Sequence, residues 1–447
     1  MRRLINIVIA TALGVCLLAS LAVAQGVPRP PKKDQQSIGG GMGVTFIDGK
    51  PYYLLNLAPE FAFGKFGIGF DLNLRVGKED GVVRIRKEDF NDTYDYLRII
   101  RYIRYGLKDD PVYARIGALD YSRLGHGSIM YYYRNSASYD DRRIGFEFDL
   151  DLEKFGFESM YSDIGHAGIL GVRPYVRPLK FTRLADIPVI GGFEIGATYA
   201  SDMSPDANKT WGDPLGTVAA AKDGGSLSIW GFDIGFPLLR LSMIKSTLYA
   251  DYAKIVDFGS GTTAGIDLNF SGMGLVTIGA RYERRWAGDQ FVPSYFDALY
   301  ERQRYTPLGA TNFTSKAEML KSVTKSEGYY GELVMGIAGT FNILGGYYSP
   351  VGVKNQGIMH LELDAGDVIP VLLLSGGYDK TNVGRVFKVD ENSIFYVQVG
   401  YKPMPWLIVS TLYQWTFAPE KDPVTGDVIG YKTQKRIEPK IGFVFNF

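Results

Sequence analysis

From Phe66 onward the chain alternates with a period of two. Phe66, Ile68, Phe70, Leu72, Leu74 and Val76 fall on one side, and Gly67, Gly69, Asp71, Asn73, Arg75 and Gly77 on the other. Successive side chains of a β-strand point to opposite faces, so this segment is a strand with one apolar and one polar face. A helix would scatter both sets around its circumference. The pattern returns in Ile144/Phe146/Phe148/Leu150/Leu152 against Gly145/Glu147/Asp149/Asp151/Glu153, and in Trp230/Phe232/Ile234/Phe236. It returns again in Ile266/Leu268/Phe270 and in Val276/Ile278/Ala280/Tyr282 against Arg281/Glu283/Arg285. The mature part of the chain is therefore expected to be all-β.

The N-terminus carries a different signal. Arg2 and Arg3 precede the apolar run Leu4 to Leu21, and Ala22-Val23-Ala24 fits a small-x-small cleavage site, so residues 1–24 read as a secretory signal peptide. An uncleaved anchor would need a flanking stop signal, and Gly14-Val15 before Cys16 makes a poor lipid-attachment motif. Residues 25–40 read as a flexible periplasmic lead-in with its Pro and Lys residues, and 41–447 as one folded unit. Cys16 is the only cysteine, so the part beyond the signal can form neither a disulfide nor a thiolate metal site. Lys+Arg number 49 against 48 Asp+Glu, a balance that argues against nucleic acid as a partner.

After residue 24 the longest apolar stretch, near Val368 to Leu374, falls far short of the ~18 residues a spanning helix needs. Mean hydropathy is near zero, which suits a soluble domain. It suits a transmembrane barrel equally, because only alternate residues meet lipid. The connections separate the two. Short turns are expected at Gly64-Gly67, Leu107-Pro111, Glu153-Gly156, Leu179-Pro188, Leu238-Met243, Ser271-Gly274, Phe341-Asn342, Ala365-Ile369 and Pro403-Pro405. Longer polar ones fall between them at Lys78-Thr93, Tyr121-Arg142, Asp202-Ser226, Ala287-Glu327, Lys380-Asn392 and Ala418-Thr433. Short turns at one rim and long loops at the other are the arrangement of a transmembrane antiparallel β-barrel. Counting segments gives about 16–20 strands of the ~9–11 residues that suffice to cross a bilayer. A soluble sandwich or propeller would instead bury the apolar face inside.

The last segment places Ile437, Ile441, Phe443, Phe445 and Phe447 on one face and Glu438, Lys440, Gly442 and Asn446 on the other. This ending resembles the C-terminal strand of bacterial outer-membrane β-barrels. The resemblance covers about ten residues and implies a porin-like class, the bacterial cell outer membrane with its lipid as the environment, and the barrel-assembly machinery as reader of the final strand.

Lipid offers backbone groups no hydrogen-bond partner, so a spanning sheet must close on itself, and 16 or more strands leave an aqueous channel unless something plugs it. By parity the inward face carries Asp71, Arg75, Arg98, Arg104, Tyr113, Arg115, Glu147, Asp149, Asp151, Arg281 and Glu283 as pore-lining residues, with Asn73, Glu194, Asp233, Asp251, Asp267 and Lys440 beside them. Arg98, Arg104 and Arg115 fall across two neighbouring strands with the acidic row Glu147/Asp149/Asp151 on the next one, and opposed basic and acidic walls of this kind would set a transverse field across a constriction. A solvated lumen crosslinked by ion pairs would use the same residues. Arg101 points outward with Leu97, Ile99 and Ile103, where charge costs ~2–4 kcal/mol at the midplane, so it must snorkel, sit near an interface or mark a bulge. A helix over Tyr94 to Tyr105 is the alternative there.

Two long connections could narrow the opening. Gly125-His126-Gly127-Ser128 followed by Tyr131-Tyr132-Tyr133-Arg134 combines glycines with aromatic bulk. Ser294–Arg304 and Ser315–Lys325 have helical patterning, with Ser315 and Glu318 as a capping box. Catalytic signals are weak. His126, His166 and His360 lack metal-ligand spacing, so no metal or cofactor is expected. Adjacent residues such as His126 and Ser128 rarely make a nucleophile and base, and an acidic row along one strand is too extended for a closed calcium site. The chain is thus expected to be a non-enzymatic channel for small hydrophilic solutes. The alternative is a structural or secretion-linked barrel whose loops plug the lumen and bind a partner.

Overall fold

The computed structural model describes residues 36–446 except 48–49, 80, 92, 136–142, 188, 205–225, 273–274, 299, 309–311, 339, 353–356, 366–367, 370, 384–392 and 422–427. The signal peptide at 1–24, most of the lead-in and Phe447 lie outside the described residues. The fold is a closed antiparallel β-barrel of 20 strands, at the upper end of the expected range. Consecutive strands pair around the ring, and Ser37–Ile47 closes it against Val428–Asn446, from Ser37 opposite Asn446 to Gly43 opposite Lys440. Closure leaves no sheet edge to be satisfied by lipid.

The first strand begins at Ser37, four residues ahead of the expected start at 41. Its Ser-Ile-Gly-Gly-Gly-Met-Gly opening lacks the apolar alternation, and its strand character comes from pairing with Lys50–Phe63 on one side and Val428–Asn446 on the other. The turn rim carries the connections that follow residues 63, 105, 151, 176, 240, 364 and 404, and the loop rim carries those that follow 117, 202 and 287. Both sets match the expected sides of the barrel.

Burial in this molecule is inverted. Phe232 is 57% exposed and Phe146 39%, whereas Glu147 is 4% exposed and Arg75 1%. Outward apolar side chains therefore form the lipid belt, and inward polar ones fill the interior. Aromatics gather at both ends of the belt, as interfacial girdles require. At the turn rim Phe66 packs on Tyr105 at 5.0 Å and Trp406 on Phe445 at 5.3 Å, while Tyr282 stacks on Tyr329 at 6.0 Å nearer the loop rim. Among the described residues no helix is long and apolar enough to cross a membrane.

Arg101 marks a bulge. The register between Phe66–Phe70 and Ile100–Tyr105 slips between Gly69 and Phe70, leaving Arg101 as the extra residue. The side chain turns to Asp120 at 3.3 Å and Glu60 at 3.7 Å instead of meeting lipid. Only Thr93–Leu97 of the alternative helix forms, and the chain returns to strand at Ile100.

Candidate functional site

The barrel's only large hydrophobic cluster lies inside the lumen, among the described residues. Leu119, Leu124, Ile129, Met130 and Tyr133 of the 118–144 loop pack with Phe291, Tyr295, Phe296, Tyr300, Ala317 and Leu320 of the 288–325 loop, against Met160, Ile229 and Ile255 of the wall. Both loops therefore fold inward. Backbone bonds join them: Tyr131 N–H donates to Phe296 C=O (3.1 Å), Phe296 N–H to Ile129 C=O (3.1 Å) and Ser294 N–H to Ser128 C=O (2.8 Å).

Local chemistry explains the path. The Asn135 side chain accepts from Leu119 N–H and donates to the carbonyls of Gly117, Arg143 and Ser162 at 3.3, 3.1 and 3.0 Å, stapling the neck of the first loop. Gly125 sits at φ 56°, and a Cβ there would lie 2.7 Å from Arg173 Nε, so both conformation and space require glycine. In the second loop Ser315 caps the Lys316–Met319 helix by accepting from Glu318 N–H at 3.0 Å.

Charged anchors fix the loops to the wall. The Tyr131 and Tyr132 hydroxyls both donate to Glu332 of the wall at 2.8 Å, while Tyr133 donates to Glu301 of the second loop at 2.6 Å and so ties the two loops together. Arg304 pairs with Asp202, which also accepts from the Tyr300 hydroxyl at 2.6 Å. Burial, then the charge of Glu301, raises the Tyr133 phenol above its ordinary range, so it stays a donor. The His126 ring stacks on Tyr249 at 4.3 Å, and burial with Arg173, Arg123 and Arg281 pushes its pKa down to about 3. No hydrogen bond joins it to Ser128 among the described residues.

The expected pore-lining residues divide in two. Arg281 is held by Asp267 (2.8 Å) and donates to His126 C=O (2.6 Å) beneath the loop, and Glu283 accepts from Tyr249 at 2.7 Å. Tyr113 donates to Glu147 (2.8 Å), Asp149 pairs with Lys108 (2.6 Å) and Asp151 with Arg177 (2.8 Å). Arg104 donates to Gly106 C=O, Arg115 reaches Asp120 at 3.2 Å and Arg75 pairs with Asp89 at 2.7 Å. Arg115 stands directly across from Glu147 on the adjacent strand, the neighbouring placement expected of the basic and acidic rows. Arg98 follows a helical turn rather than lying on a strand, and it pairs with Asp95 at 2.6 Å.

Asp71 and Arg98 do face open space. A cavity of about 410 Å³ lies between the inward loops and the closing strands, lined by the polar Asn56, Asp71, Asn73, Arg98, Arg101, Asp120, Arg143, Gln398, Ser410 and Lys440 and by apolar residues such as Leu54, Ala58, Ile144, Leu373 and Phe443. Asp120 and Arg143 come from the first loop, and parity counting did not pick out Asn56, Gln398 and Ser410. Sequence reading also missed Arg173, which bonds Glu158 (3.2 Å), Glu194 (2.8 Å) and Asp233 (2.9 Å to Nε) at once. Its position in Ile169–Val176 opposite two acidic strands was the available signal.

No protein-family model matches the chain, and no curated protein matches it. Among solved structures it is similar to a point mutant of the ferric enterobactin receptor PfeA of Pseudomonas aeruginosa (9% identity, 94% of this chain, 81% of that one, TM-score 0.38). It is similar also to Wzi of Escherichia coli, described as a carbohydrate-binding β-barrel involved in group 1 capsule assembly (12%, 93%, 85%, 0.37). A third is the outer-membrane protein OpdK of Pseudomonas aeruginosa (11%, 92%, 98%, 0.33).

Proposed function

We propose that this chain is a bacterial outer-membrane channel that passes small hydrophilic solutes through the part of its lumen beside the inward loops. One observation carries the reading: a cavity of about 410 Å³ borders the closing strands, and its wall sets charges of both signs, amides and a hydroxyl among apolar side chains and glycines. That volume suits a small molecule, and such a lining replaces hydration for a polar solute without binding one sign too tightly. The final strand, with Ile441 and Phe445 turned outward, would be read by the assembly machinery. Purified protein in planar bilayers should carry a steady current, and a silent bilayer at every voltage would refute the channel.

A second reading follows from the loops themselves. Their anchoring at Glu332, Asp202 and Arg281 is what a plugged, structural or secretion-linked barrel would need. It predicts no current and a periplasmic or surface partner captured by crosslinking from intact cells. A catalytic role for Ser128 is disfavoured, and a Ser128→Ala protein that loses any hydrolase activity present in the parent would reverse that judgement.

A further inference from the structure

We propose that His126, Asp233 and Asp251 form a lumenal binding site for one divalent transition-metal cation of the Zn2+ or Mn2+ kind. His126 arrives on the inward loop, Asp233 on Leu227–Arg240 and Asp251 on Ile244–Ile255. The two aspartates stand directly opposite each other across paired strands, on the same inward face. Like charges so placed repel, and something must offset them. Arg173 hydrogen-bonds Asp233, donating from Nε at 2.9 Å, and gives no hydrogen bond to Asp251. Asp251 is 5% exposed, and both of its carboxylate oxygens are buried with no hydrogen-bond partner.

The third donor is equally unspent. His126 Nε2 is buried without a partner and lies 3.8 Å from Asp233 Oδ1. One ligand atom from each of the three residues lies within 4.8 Å of the other two. A tetrahedral cation at ~2.0–2.1 Å from each donor sets them ~3.4 Å apart, so closure needs movements of about an ångström. The flat stack on Tyr249 holds the imidazole in place, and Arg173 orients Asp233 as a hydrogen-bonding partner of a ligand does. Arg173 is already shared among Glu158, Glu194 and Asp233, so Asp251 has no cation in hydrogen-bond contact. One imidazole with two carboxylates favours Zn2+ or Mn2+ over Ca2+ and Mg2+, which prefer oxygen alone.

Tag-free, chelator-stripped protein in detergent, dialysed against Zn2+, Mn2+ or Ca2+ and assayed by elemental analysis, tests the site. One equivalent of Zn2+ or Mn2+ should be retained and should raise the melting temperature. Asp251→Asn and His126→Gln should each weaken binding by roughly tenfold or more. Metal-free Asp251→Asn should melt no lower than the parent, because a buried unpaired carboxylate has been removed. Should Asp251→Asn fail to fold, His126→Gln, a loop change, decides alone. Absence of bound Zn2+ and Mn2+ on folded parent, undiminished binding by the variants, or tighter binding of Ca2+ would overturn the proposal.

Discussion

The interior of this barrel is two different places. Along the strands from Gly145–Asp151 to Ser326–Ile337, long charged side chains point inward beside buried apolar ones such as Met160, Ile229 and Ile255, and two loops lie over them. Arg173, Arg281, Glu283 and Glu332 are all committed to partners there, and a hydrophobic cluster sits above. Beside the closing pair, Gly39, Gly41 and Gly43 face inward opposite Asn56 and Ala58, with Ser410 and Gln398 beyond, and the space stays open. The outer wall is alike on both sides, with Phe232 and Ile441 both turned to lipid. The membrane thus dictates only the outward half of the alternation. What the inward half does depends on whether its side chains can anchor a loop.

Removing the loop should erase the contrast. Replacing residues 122–133 by a short Gly-Ser link costs little closure entropy, and single-channel conductance should rise several-fold. An unchanged current would show that the first loop does not restrict the lumen. Arg304→Ala leaves the fully buried Asp202 without its cation. It should cost about 3–5 kcal/mol, seen as a lower melting temperature in detergent. Phe232→Arg puts charge on the lipid face and should cost ~2–4 kcal/mol wherever the site lies near the midplane. A neutral result, read by unfolding from liposomes, would place that face outside the bilayer. Gln398→Ala, on the open side, removes one bond to Ser410 at 3.1 Å. It should change stability by only about 1 kcal/mol, and the difference from Arg304→Ala measures how unequal the two halves are.

Much of the wall was legible because a strand's parity is local. Phe66 to Val76 declares its two faces within a dozen residues, the loop lengths sort themselves to two rims, and Ser315 announces its cap three residues ahead. Arg101 broke the pattern visibly, and the bulge is where the pattern breaks. The interior was illegible for the opposite reason. Tyr131 meets Glu332, Tyr133 meets Glu301 and His126 meets Asp233, contacts that depend on a loop's path and not on neighbouring residues. The arginine row was read as one wall of a field, yet Arg115 turns to Asp120, a residue of the first loop, a contact that strand parity does not encode. Ser37 to Gly40 escaped notice because glycines carry no alternation.

Cysteine modification tests the division most directly, since Cys16 is the only native thiol and lies within the apolar run of the expected leader. Ala58→Cys lines the open cavity and Ala253→Cys sits under the loops. With each protein in a planar bilayer, a water-soluble methanethiosulfonate should cut the current through Ala58→Cys and leave Ala253→Cys unaltered. Equal block of both, or block of Ala253→Cys alone, would contradict a lumen divided into a filled half and a passable one.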